Sequence, residues 1–163
     1  MKVVIIGGVA GGATAAARLR RLDEQAEIII LERSGYISYA NCGLPYYIGG
    51  EITDREALTL QTPASFWARF RIEVRVHNEV TAIHPERKNV TVRRLDDGVV
   101  YEEAYDKLIL SPGAKPVRPA LPGINDSRIF YAAQCRGYLC YSRLYRAERA
   151  APRGCGGRRL YWP

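Results

Sequence analysis

The chain has 163 residues, with 24 Lys and Arg against 17 Asp and Glu, and a formal charge of +7. That length holds one good core or a part of something larger, and no apolar run approaches the length of a membrane span. The positive excess would ordinarily suggest nucleic acid or an anionic membrane as partner. Its distribution argues against both, because residues 131–163 hold seven arginines and one acid, Glu148, and leave the first 130 residues nearly neutral.

Val3–Val4–Ile5–Ile6 is a short β-branched run of the kind that forms a buried parallel strand. It begins the chain without a charged leader or cleavage site, so a cytoplasmic location is expected. Gly7–Gly8–Val9–Ala10–Gly11–Gly12 then leads into an alanine-rich stretch to Leu22, a strong helix former whose buried stripe is expected at Ala15, Leu19 and Leu22. A second apolar run, Glu27 to Leu31, ends on Glu32. The order strand, glycine turn, helix, strand, acid suits a dinucleotide: glycines admit the pyrophosphate, the helix start offers amides, and the acid binds a ribose. The middle glycine of the pattern is replaced by Val9.

Thr14, Arg18 and Arg21 stand at i, i+4 and i+7 and so share one helical stripe. That stripe is either a hold for an anionic substrate or a solvated basic face. Farther on, Ser38 to Gly50 is a run of small and aromatic residues around a single cysteine, Cys42. If Cys42 lies in the first turn of a short helix, the dipole stabilises its reactive thiolate; the alternative is a buried structural thiol.

Thr62–Pro63 reads as an N-cap followed by proline at the first helical position, starting a helix to about Phe70. Ile72–Val76 and Glu79–Ile83 read as strands. Asn89–Arg94 and Val99–Glu102 form a hairpin about Asp97–Gly98 with a tight turn, and Lys107–Leu110 is expected as a buried strand opening into Ser111–Pro112–Gly113–Ala114. His77 and His84 have no cluster of partners and receive no chemistry. No metal site is expected.

With these residues placed, the chain resembles the pyridine nucleotide-disulfide oxidoreductases, nearest to the coenzyme A-disulfide reductases and their relatives, the NADH oxidases and peroxidases. The resemblance covers roughly residues 1–130 and rests on Gly7 to Thr14, Glu32, Ser38 to Gly50, and Leu108 to Ala114. It implies an α/β, Rossmann-like FAD-binding domain with a parallel sheet and a small antiparallel meander. It also implies an enzyme with FAD, NAD(P)H as reductant, and one redox-active cysteine, Cys42. Since position 47 is Tyr47, the C-x4-C disulfide of the larger reductases cannot form, and Cys42 pairs with coenzyme A or cycles through a sulfenic acid. Carried over residue by residue, Gly7, Gly11, Gly12, Glu32 and Arg33 hold the FAD adenosine diphosphate, with Val80 near the adenine and Gly113 along the flavin path. Thr14, Arg18, Arg21, Ser38 and Asn41 line the coenzyme A site, with Arg69 a further candidate. The intact enzyme is expected to be a homodimer acting on coenzyme A disulfide or a related small disulfide.

Residues 131–163 contain no valine or isoleucine but five tyrosines and three cysteines, Cys135, Cys140 and Cys155. The composition supports neither strand nor core helix, so an irregular tail is expected. Cys135 and Cys140 are a C-x4-C pair, but no nucleotide turn precedes them and they are not taken as a redox disulfide. A shift of one nucleotide across Gly154 to Pro163 permits Ala-Val-Val-Val-Gly-Gly-Tyr-Ile-Gly, the opening of a second nucleotide-binding strand and glycine loop. The tail therefore reads as frame-shifted, and the chain as the N-terminal fragment of the enzyme, inactive by itself.

Overall fold

The computed structural model describes residues 1–114, 117 and 119–126. In chain order the elements are β1 (Lys2–Ile6), α1 (Ala10–Leu22), β2 (Glu27–Glu32), β3 (Ile37–Tyr39), α2 (Leu44–Gly49), β4 (Thr59–Gln61) and α3 (Pro63–Phe70). After them come β5 (Glu73–Val76), β6 (Asn78–His84), β7 (Asn89–Arg94), β8 (Val100–Ala104) and β9 (Lys107–Leu110). The chain divides into two units, residues 1–40 with 54–115, and residues 41–53 with the chain from residue 116 onward. The tail from residue 131, with its three cysteines, lies outside the described residues.

The first unit is built on a parallel sheet in the order β5-β2-β1-β9. Strand residues alternate between faces, so the unbroken apolar runs of β1 and β2 feed two cores at once. Val3, Ile5, Ile28 and Ile30 point to one face, where Ala13 and Ala16 of α1 and Phe66 of α3 cover them. Val4, Ile29 and Leu31 point to the other, under Val90 and Val92. Those two valines belong to an antiparallel meander, β6-β7-β8. This is the expected architecture: a Rossmann-like parallel sheet with a small β-meander.

The helix to Phe70 starts as its sequence predicts. Thr62 caps it through the Ser65 amide at 3.2 Å, and Ser65 Oγ accepts the Thr62 amide at 2.9 Å, a reciprocal box. Two local expectations need correction, the inner stripe of α1 and the burial of β9. The buried stripe of α1 is Gly12, Ala13 and Ala16 with Leu19 packed beside it, whereas Leu22 is 68% exposed. At about 100° per residue Leu22 falls roughly 120° from Ala16, and the centre of the stripe is taken one turn later by Arg20. The β7–β8 hairpin closes on Arg94 and Val99, the strand ends that the sequence indicates, with Gly98 at φ +75. Strand β9 is not buried, for Lys107 and Leu110 are exposed and the strand has one neighbour, β1, among the described residues.

Between sheet and meander lies a buried carboxylate, Glu103, at 8% exposure. It accepts from Lys2 Nζ at 2.7 Å and from the Arg75 guanidinium. Arg75 also donates to Glu73 and to the Tyr101 hydroxyl, whose own proton goes to Asn78. Burial pushes the Glu103 carboxyl up, but the bonds and charges of Lys2 and Arg75 outweigh it and hold its pKa below the ordinary value.

Candidate functional site

The carboxyl ends of β1 and β9 are adjacent, and the strand order reverses there, the place where open α/β sheets bind ligands. Beyond β1 the chain turns at Gly7, with φ +92, a conformation costly for residues with a Cβ. The four glycines of the turn have different reasons. A Cβ on Gly7 would lie 2.1 Å from the Ser111 carbonyl oxygen, and one on Gly12 1.8 Å from the Gly7 carbonyl oxygen. One on Gly8 would press on Ile37 and Ile30 at 2.9 and 3.0 Å. Those three glycines are required by packing alone. Gly11 is exposed, and its Cβ would make only an ordinary contact with Ser111 at 3.4 Å, so there the missing side chain leaves room for something outside the protein.

The first turn of α1 is uncapped: Val9 offers no side-chain acceptor and no acid lies in the turn. Its leading amides therefore face outward with the positive end of the dipole. Glu32, at the end of β2 and 6% exposed, is fixed by two backbone donors, the Gly8 amide on Oε2 and the Ser34 amide on Oε1, both at 2.8 Å. Each oxygen keeps acceptor capacity for a hydroxyl. Ser38 joins the turn through its own amide, donated to the Gly8 carbonyl at 3.2 Å, with φ 47.

The fold thus gathers Gly7, Gly11, Gly12, Glu32 and Ser38 about one turn. Arg33 follows Glu32 and is exposed. Gly113 stands two residues past Ser111, with φ +74 and open space about it. Val80 is in β6, half-buried at a bulge and packed on the second core cluster. Thr14, Arg18 and Arg21 are all exposed on the outer face of α1. Arg69 is exposed on α3, its guanidinium 5.1 Å from the Phe70 ring. Sequence reasoning missed Gly8 and Ser111 as parts of the site. Gly8 was visible only as one glycine among several, and the Ser111 contact arises from strands over a hundred residues apart in sequence.

In the second unit, Asn41 and Cys42 lie in a single 3-10 turn, Asn41–Gly43, immediately before α2. Cys42 is exposed and free, which sets aside the buried structural thiol; it precedes α2 and its N-cap Gly43 and so stands outside the first α-helical turn. It borders an open hollow with Pro45, Tyr46, Gly49 and Glu51. Tyr47, where a C-x4-C partner would stand, is buried at 7%. Among the described residues no three His, Cys, Asp or Glu side chains gather as metal ligands, and no helix is long and apolar enough to cross a membrane.

Residues 1–146 match the family described as pyridine nucleotide-disulphide oxidoreductase. The chain belongs to this family. Its curated relatives include a coenzyme A disulfide reductase of Staphylococcus epidermidis, 48% identical over 117 residues, which are 72% of this chain and 27% of the relative. Among solved structures, the reduced CoADR-RHD of Bacillus anthracis superposes with a TM-score of 0.87 at 48% identity, covering 91% of this chain and 27% of that one. The water-forming NADH oxidase from Lactobacillus brevis, bound to NADH, gives 0.82 at 29% identity, covering 92% and 32%. The chain therefore spans about a quarter of the length of the curated relatives it matches.

Proposed function

We propose that the chain is the N-terminal, FAD-binding part of an NAD(P)H-dependent flavoprotein that reduces coenzyme A disulfide through Cys42. The single observation that carries this reading is the exposed, unpaired Cys42 with a buried Tyr47 in place of a second cysteine. A cysteine so placed exchanges with a disulfide brought from outside.

The turn suits the adenosine diphosphate half of FAD. The open side of Gly11 and the uncapped amides of α1 match a pyrophosphate, and the fixed carboxylate of Glu32 matches ribose hydroxyls. On this reading Gly7, Gly11, Gly12, Glu32, Arg33, Val80 and Gly113 hold the cofactor. When bound, FAD supplies two electrons taken from NAD(P)H. Cys42 thiolate attacks one sulfur of coenzyme A disulfide, forms a Cys42–S–S–CoA bond and expels the other coenzyme A as thiolate, which takes a proton from water. Reduction of that mixed disulfide by two electrons and one proton would return Cys42 as thiolate with a second coenzyme A thiol. Thr14, Arg18, Arg21, Ser38, Asn41 and Arg69 are assigned to the phosphates and nucleotide of coenzyme A.

A second reading has support in the likeness to the Lactobacillus brevis NADH oxidase: oxygen or peroxide as acceptor, with Cys42 passing through a sulfenic acid. The basic stripe favours coenzyme A, because oxygen has no use for Arg18 and Arg21. Residues 1–130 are the FAD-binding portion on this account, and residues 131–163 a frame-shifted end, so the chain turns over no NAD(P)H alone. The full enzyme works as a cytoplasmic homodimer, with neither nucleic acid nor membrane as partner. Mixing reduced protein with coenzyme A disulfide should place a coenzyme A adduct on the Cys42 peptide and release one equivalent more coenzyme A thiol per chain than Cys42→Ser, whose remaining thiols are Cys135, Cys140 and Cys155. Release unchanged in Cys42→Ser would remove the assignment.

A further inference from the structure

Arg20 occupies the centre of the inner stripe of α1, one turn beyond the fully buried Ala16, where the pattern calls for an apolar side chain. Its guanidinium is half-buried and meets no carboxylate. Nε donates to the Phe70 carbonyl at 2.8 Å and Nη2 to the Arg71 carbonyl at 2.9 Å. Nη1 donates to the Glu24 carbonyl at 2.6 Å and the Asp23 carbonyl at 3.3 Å. Asp23 is the C-cap of α1, and Arg71 is the C-cap of α3 at φ 52. One planar cation thus ties together two helix C-termini, whose last carbonyls lack partners within their helices. Lysine, a point charge without a fork, cannot make the same set.

The two tied helices also carry exposed cations. Arg18 and Arg21 are on α1, and Arg69 and Arg71 end α3; all four are exposed. None of the four has an ion pair among the described residues. The Arg71 guanidinium stands 5.7 Å from the ring of Trp67, which is 51% exposed. Cations left unneutralised on neighbouring ends repel, and a polyanion between them relieves that repulsion.

We propose that Arg20 is a positioning residue for coenzyme A: it fixes the end of α3 against the end of α1, so that Arg18, Arg21, Arg69 and Arg71 are held at a set spacing for the nucleotide phosphates. The proposal rests on the coenzyme A reading above and adds to it Arg20, which touches no ligand, and Arg71. Titrate coenzyme A and, separately, FAD into the full 163-residue chain and its Arg18→Ala, Arg20→Gln and Arg20→Lys variants, each with Trp162→Phe so that Trp67 alone reports by fluorescence, and follow calorimetric heat as well. Arg20→Gln should weaken coenzyme A about tenfold, equal to about 1.4 kcal/mol, with FAD affinity unchanged, and Arg20→Lys should fall between. Coenzyme A affinity kept in Arg20→Gln but lost in Arg18→Ala would overturn the positioning role while leaving the substrate reading intact. Equal losses for coenzyme A and FAD would also overturn it, by showing a general loss of fold. If the parent chain binds no coenzyme A, the substrate reading fails, and the role of Arg20 with it.

Discussion

Glu103 shows how a single side chain couples the parallel sheet to the meander. Its folded pKa lies below the ordinary value of 4.5, so its contribution to stability is complete above that pH and is lost as pH falls through the lower folded value. Replacing it with glutamine leaves Lys2 and Arg75 without their buried partner and should cost about 3 kcal/mol at neutral pH. The gap between parent and Glu103→Gln in chemical denaturation should close as the solution is made acid. A gap that stays constant down to strongly acid pH would show that the carboxylate charge is irrelevant. Nothing in the sequence pointed to this group: Glu103 follows Glu102 in β8 and nothing local tells the two carboxylates apart, while the partners of Glu103 come from β1 and β5. The run around Cys42 drew attention to it in the sequence, but its exposure was not legible there. Whether a lone cysteine packs or faces outward depends on the turn it sits in.

At the scale of elements, the proposed FAD site predicts different outcomes at two glycines of one turn. Gly12→Ala puts a Cβ into the Gly7 carbonyl and should cost about 3 kcal/mol, the upper end for overpacking. Gly11→Ala meets only ordinary contact, sits inside a helix and should gain roughly 0.5–1 kcal/mol, while FAD affinity falls because the open side is filled. Thermal melts with FAD titrations would check the pair; Gly11→Ala that binds FAD as well as the parent would take Gly11 out of the site. Thr62→Ala should lower stability by about 1 kcal/mol through loss of the box at α3. The existence of α1, α3 and the strands was readable because periodicity and caps are local signals. The orientation of α1 was not, because Arg20 in the inner stripe disguises it: an arginine that satisfies four carbonyls looks in sequence like any solvated one.

At the scale of the whole molecule, the order strand, glycine turn, helix, strand and acid was enough to predict the sheet, since right-handed crossovers leave few alternatives. The proposed frame-shifted end makes a separate prediction. Deleting residues 131–163 should leave the thermal transition of the remaining chain nearly unchanged, and neither form should consume NADH. A large drop in the transition would show that the tail belongs to the fold.

The central claim is that Cys42 exchanges with coenzyme A disulfide in particular. Reduced protein should be exposed to equimolar coenzyme A disulfide and glutathione disulfide, digested without reductant and mapped by mass spectrometry. The account predicts a coenzyme A adduct on the Cys42 peptide in excess over glutathione, removed by dithiothreitol and diminished in Arg18→Ala. Equal labelling by both thiols, or Cys42 found only as sulfinate, would contradict it.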